Sequence, residues 1–163
     1  MSGVAPALAC EPMTAATLPG ALAVLTGFLA DDPHYLASSA VYGDAGPAAA
    51  EAALRLFLAR PELGMVYLAR RGDDVVAACV ACYAISTSRG GLVVKLDDVS
   101  VRHACTGQGI GGTMLEALKA DLRALGVSRI DCGCHRDNAR AWRFYERHGF
   151  LPLHEERIAC LLG

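Results

Sequence analysis

Apolar and polar positions along the chain change their period twice, and the changes divide it into elements. Between residues 14 and 30, Leu18, Leu22, Leu25 and Leu29 recur at the three- and four-residue intervals of one helix face. Asp31-Asp32-Pro33 reads as the stop of that helix. A loop with Gly43, Gly46 and Pro47 leads to a second helix over 48–60, closed by Pro61. The period then shortens. Residues 65–71, 75–86 and 92–101 are β-rich runs separated by Gly72-Asp73 and Arg89-Gly90-Gly91, which read as hairpin turns. The helical period returns at 110–125, where Ile110, Met114, Ala117, Leu118, Leu122 and Leu125 form one stripe and Gly126 is placed as the left-handed stop. A strand over 127–134, a helix over 138–148 and one or two closing strands over 150–161 follow, and 7–13 is a weak first strand. The order β-α-α-β-β-β-α-β-α-β predicts an α/β (α+β) fold. Its central sheet is mixed and mostly antiparallel, with six or seven strands and about four helices on its faces.

Composition narrows the class without changing that outline. The 163 residues fit one domain, 1–163, and 53% hydrophobic residues with a mean hydropathy of +0.32 exclude a disordered chain. A net charge of −2 gives no general attraction to nucleic acid or to an anionic membrane. The first basic residue is Arg55, so the cationic start of a secretory signal is missing. The most apolar early stretch, 18–30, is interrupted by Pro19 and Gly20 and falls short of the about 20 residues that span a bilayer. A soluble, cytoplasmic protein is expected. Seven cysteines make an odd count. Cys79 and Cys82 lie three apart on a predicted strand and point to opposite faces, and Cys132 and Cys134 also sit in a strand run, so buried thiols are expected and no metal.

The strongest local signal is Thr106-Gly107-Gln108-Gly109-Ile110-Gly111-Gly112, between a strand and an amphipathic helix. Glycines let a bulky anion approach the backbone, and a helix N-terminus supplies free N–H groups with about half a positive charge. Together they predict a phosphate cradle. Gly107 and Gly112 have the spacing of a P-loop, but Thr113 stands where its lysine belongs. Gly107, Gly109 and Gly112 match a dinucleotide fingerprint, with Asp131 about 20 residues on. That reading, which would make the chain a nicotinamide oxidoreductase, is opposed by the spacer 102–106 and by the meander that precedes the glycines.

Val99-Ser100-Val101 followed by Gly107-Gln108-Gly109-Ile110-Gly111 resembles the signature of the GNAT superfamily of N-acetyltransferases. Asn138-Ala139-Arg140-Ala141-Trp142-Arg143-Phe144-Tyr145 through Gly149-Phe150 resembles its second signature. Thr106 departs from the family's usual Arg or Gln, which leaves the phosphate contact to backbone amides. The resemblance implies an acetyl-CoA-dependent enzyme, with no metal, in which an amine attacks the thioester directly. It implies pantetheine pairing along Val99, Ser100 and Val101, pyrophosphate on 106–112, and a pantetheine contact from Asn138. Tyr145 would be the acid beside the sulfur, and Asp97 the favoured base, with Asp98 as the other candidate. Asp97 shares strand parity with Val99 and Val101; an ion pair with Lys95 is its structural alternative. The acceptor, a small amine, polyamine or amino acid nearest the polyamine-acetylating branch, would meet Asp31, Asp32, Tyr35 and Asp98, on a stretch that also offers His34, Tyr42 and Asp44. A homodimer is an expectation of the same resemblance, and a CoA-binding module without catalysis is the rival. Arg136, Arg140, Arg143 and Arg147 read as a solvated basic face, with the cofactor's 3′-phosphate as the alternative partner.

Overall fold

The computed structural model describes residues 6–162. A five-stranded sheet runs in the order β1 (Leu8–Pro12), β2 (Gly64–Arg71), β3 (Asp74–Ser86), β4 (Gly91–Val101), β5 (Ile130–Cys132). The first four strands form an antiparallel ladder, and β5 joins β4 in parallel after a crossover through α4 (Ile110–Ala124). The other helices are α1 (Leu18–Asp31), α2 (Pro33–Tyr42), α3 (Pro47–Ala59) and α5 (Ala139–Arg147).

Strand alternation builds a core on each face of the sheet. Val66 and Leu68 of β2 pack with Leu18, Ala21, Val24 and Leu25 of α1 and Leu54 of α3. Tyr67 and Ala69 point the other way, onto Ile110, Met114, Leu115, Leu118 and Leu122 of α4. The Tyr67 hydroxyl donates to Asp121 Oδ2 at 2.5 Å, tying α4 to the middle of the sheet.

Three expectations are corrected. Residues 33–42 form a helix where a loop was expected. Pro33 stands at its first turn, where the missing N–H costs nothing. Asp32 serves both helices: its N–H closes α1 on Phe28 O, and its Oδ1 accepts from the Tyr35 N–H at 2.7 Å. The strand expected over 127–134 is reduced to Ile130–Cys132. Among the described residues no strand forms over 150–161 either, so the sheet has five strands rather than six or seven. Pro152 offers no ladder donor, and His154 turns to φ 56°, outside extended backbone. Over that stretch Arg157 lies against Gly133, and Arg136 pairs with Glu156 on the surface.

Candidate active site

β4 is followed by a 3₁₀ turn, His103–Cys105, and only then by the glycines. This is unlike a dinucleotide fold, in which the strand turns directly into them. The Thr106 hydroxyl donates back to His103 O at 2.8 Å, so its proton serves the turn. Gly109 caps α4 at φ 74°, a conformation costly for any residue with a side chain. The first helical bond runs from Thr113 N–H to Gly109 O. Among the described residues, the six consecutive N–H groups of Gly107 to Gly112 have no protein acceptor. Such a row at the positive end of a 15-residue helix fits a pyrophosphate. The close-crossing role of glycine is present as well. A Cβ on Gly112 would stand 2.9 Å from His148 Nε2, so α5 can approach α4 only because that position is bare.

Beside the cradle the sheet opens. The β4–β5 register runs from Val94–Ile130 to Leu96–Cys132 and ends there, whereas β4 continues along β3 to Val101. Arg102 donates its N–H to Val76 O on the β3 side. The polar backbone groups of Val101 therefore face the opening, as strand geometry alternates them. An amide-bearing chain can pair with this free edge as another strand would.

The acids lie where the opening begins. Asp98 and Val99 together stand opposite the single Cys79, a β-bulge, and Asp98 takes φ 53°. The bulge breaks the simple alternation. Leu96 and Val99, three apart, pack against the same core face, so the shared parity expected of Asp97 and Val99 does not hold. Asp97 is in an ion pair with Lys95 at 2.8 Å. Asp98 is free of such a pair among the described residues, and burial, followed by the charge of Asp97, raises its carboxyl to about 6.

Tyr145, from the middle of α5, is packed among Phe144 and Phe150, with ring centroids 5.2 and 5.1 Å away. Burial is the main cause that raises its pKa, and the charge of Asp97 adds to it. Its hydroxyl has no protein hydrogen-bond partner among the described residues. Asn138 Oδ1 accepts from Ala141 N–H at 3.0 Å and so caps α5, aiming the helix at the opening.

On the α1–α2 side, the Tyr35 hydroxyl donates to Asp44 Oδ2 at 2.9 Å. Burial and that bond push Tyr35 up to about 12, with the charge of Asp98 the smallest contribution. Phe28 lies 6.3 Å from the Tyr35 ring. The His34 and His135 rings meet at 4.9 Å, joining α2 to the β5–α5 connection. Asp32 is taken up in capping and Asp31 is exposed. Of the acids this stretch offers, Asp44 is the one that the Tyr35 hydroxyl meets.

Sequence reasoning missed a cleft of about 570 Å³ between α4 and α5, opening at Gly109 and Gly112 and walled by Phe144, Arg147 and His148. Glu116 lies in it, bonded to Lys119 Nζ at 2.9 Å and to His148 Nδ1 at 2.8 Å, and both contacts hold its carboxyl below the usual range. His148 is 32 residues from Glu116, so no local pattern announces the pair. All seven cysteines are free, and burial raises Cys79 and Cys132 to about 12, which keeps both as neutral thiols. Among the described residues no cluster of three or more metal-binding side chains forms, and no helix is long and apolar enough to cross a membrane.

Residues 32–150 match the model of the acetyltransferase (GNAT) family. Several solved structures share the fold. A possible acetyltransferase from Clostridium difficile 630 superposes with a TM-score of 0.80 at 13% identity, over 95% of this chain and 97% of its own. Glucosamine-6-phosphate N-acetyltransferase from Arabidopsis thaliana gives 0.68 at 13% identity, over 96% and 99%. Ribosomal-protein-alanine N-acetyltransferase from Brucella melitensis gives 0.72 at 12% identity, over 95% and 99%.

Proposed function

The chain belongs to the GNAT acetyltransferase family, and from that premise we propose that it moves an acetyl group from acetyl-CoA to a primary amine by direct attack in a ternary complex. The observation that carries this reading is the continuity of the six unbonded amides, Gly107 to Gly112, with the free edge of β4. One element suits a pyrophosphate and the other an amide-bearing arm, the two ends of phosphopantetheine. The side-chain oxygen of Asn138 is engaged in its cap, so a contact from this residue to the arm uses its amide N–H₂.

Two proton transfers set the chemistry. A free alkylammonium has a pKa of about 10.4, so at pH 7 the neutral nucleophile costs about 4.6 kcal/mol to reach. Asp98, raised to about 6, is ionised at that pH yet more basic than an ordinary carboxylate, and it accepts the amine proton. Asp97, the favoured base from the sequence, is compensated by Lys95 and serves instead to raise its neighbour. Tyr145 stays protonated in its buried setting and donates to the departing thiolate. Tyr145→Phe should lower kcat about 100-fold while leaving the dissociation constant of CoA within about twofold. A matching loss in CoA binding would make the residue a packing group.

The acceptor is a small amine, polyamine or amino acid. The names of two structural neighbours cover an amino-sugar phosphate and a ribosomal-protein alanine, so the fold does not choose between small molecule and protein. The choice rests on Asp98, Asp44 and the rings of Tyr35 and Phe28, acids beside aromatics, which suit a compact cation. The test is a panel of small amines, polyamines, amino acids and peptides with acetyl-CoA, following release of the free thiol. Turnover confined to peptides would overturn the acceptor class. Binding of CoA with no turnover on any amine would make the chain a binding module.

A further inference from the structure

We propose that Lys95 is a self-modification site, whose amine takes the acetyl group from acetyl-CoA bound to the same chain; this rests on the acetyl-CoA reading above. The chain has only two lysines among its 15 basic residues. Lys95 is one of them, on β4 between Val94 and Leu96, which are buried in the core under α4. Strand alternation therefore sends Lys95 to the opposite face, the one that α1 crosses. Its Nζ stands 2.8 Å from Asp97 Oδ2, so the side chain runs along the strand toward its carboxyl end. Lys95 is opposite Asp131, one rung before the β4–β5 ladder ends at Leu96–Cys132. Two residues of strand cover about 6–7 Å, which carries the amine past the last rung, to the acids at the opening.

That group is of the class the proposed reaction uses, a primary alkyl amine beside carboxylates, and it is tethered to the strand proposed to receive the amide-bearing arm. The Lys95 side chain is 50% exposed. Lys119 is only 19% exposed and is held by Glu116 Oε1 and His148 O, each at 2.9 Å. Tethering spares Lys95 the entropy that a free acceptor loses on binding. In the step, Asp98, the proposed base, takes a proton from the Lys95 ammonium, and Nζ attacks the acetyl carbonyl carbon. The C–N bond forms, the C–S bond breaks with its electron pair on sulfur, and Tyr145 protonates the thiolate. Acetyl-CoA and a lysine ammonium thus give acetyl-lysine, CoA thiol and one proton, with no oxidant or reductant. The product amide is neutral, so Asp97 loses its cation and stands with Asp98 as an uncompensated pair.

The test is a time course of the full chain with acetyl-CoA and no added amine, read by peptide mapping in a mass spectrometer. Acetyl should accumulate on Lys95 about tenfold faster than on Lys119, and than on Lys95 of the chain unfolded in urea. The rate per chain should not change with chain concentration, and a saturating small amine or Asp98→Asn should slow it. Equal rates on Lys95 in the folded and unfolded chain would overturn the self-modification. So would a chain that binds acetyl-CoA and gains no acetyl on Lys95, or a rate per chain that rises with chain concentration. Thiol release with an external amine in the same preparation would leave the acetyl-CoA reading standing after any of these results. Failure of acetyl-CoA to bind the chain would remove that reading and the self-modification together.

Discussion

Asp98 carries more than one consequence of a single backbone irregularity. Its φ of 53° and the bulge opposite Cys79 put a carboxyl where regular alternation would have left it on a strand face. An acid whose folded pKa is raised, here from 3.8 to about 6, favours the folded state below the lower value and gives that up as pH rises through the upper one. Asparagine carries no charge to bury. Asp98→Asn should therefore raise the melting temperature relative to the wild-type chain at pH 7, and the gain should shrink toward pH 4. In the proposed reaction the same change should lower kcat/KM about 100-fold at pH 7 and abolish the acidic limb near pH 6. If that limb disappears in Asp97→Asn and persists in Asp98→Asn, Asp97 is the base.

Among the elements, α2 and the start of α4 decide the geometry. α2 begins on Asp32, so Asp32→Ala should cost about 1 kcal/mol in denaturant unfolding. Because α2 carries Tyr35, the acceptor KM should rise with the loss of that cap while CoA affinity holds; a change in CoA affinity alone would disconnect α2 from the acceptor. Gly112→Ala acts on the other element. The new Cβ pushes on His148 Nε2, and the ring is already held by Glu116 and by Phe144 at 4.9 Å. A cost of about 1 kcal/mol in the urea midpoint is expected, together with weaker CoA binding as α5 moves off α4.

At the scale of the molecule, charge is uneven although the net value is only −2. Asp32 and Asp44 both bond to Tyr35, and Asp97 and Asp98 stand together on β4, where Lys95 is spent on Asp97. Such a field attracts cations over roughly a Debye length, about 10 Å at 0.1 M salt and 3 Å at 1 M. The KM of a polyamine acceptor should thus rise several-fold between about 0.05 and 0.5 M salt, and more steeply than that of a monoamine. Equal slopes for the two would mean that the acids do not face the acceptor.

Much of this molecule is written in its local patterns. The meander β2–β4, the helix α4 with its buried stripe and the cap Asn138 follow from periods and turn residues that act within a few positions. The glycine segment announces its free amides for the same reason: a helix start and absent side chains are local facts. The second helix was hidden because Pro33 is equally a stop and a start, and Asp32, which ends α1, also caps α2 through the Tyr35 N–H. The closing strands failed because a strand needs a partner edge, which no period can supply, and residues 150–161 meet none. The same holds for chemistry. The sequence presented two adjacent acids and four arginines, and only the bulge at Asp98 and the approach of α5 across Gly112 separated Asp98 from Asp97 and Arg147 from its neighbours. Those choices depend on contacts between residues far apart in the chain, and no run of neighbours encodes them.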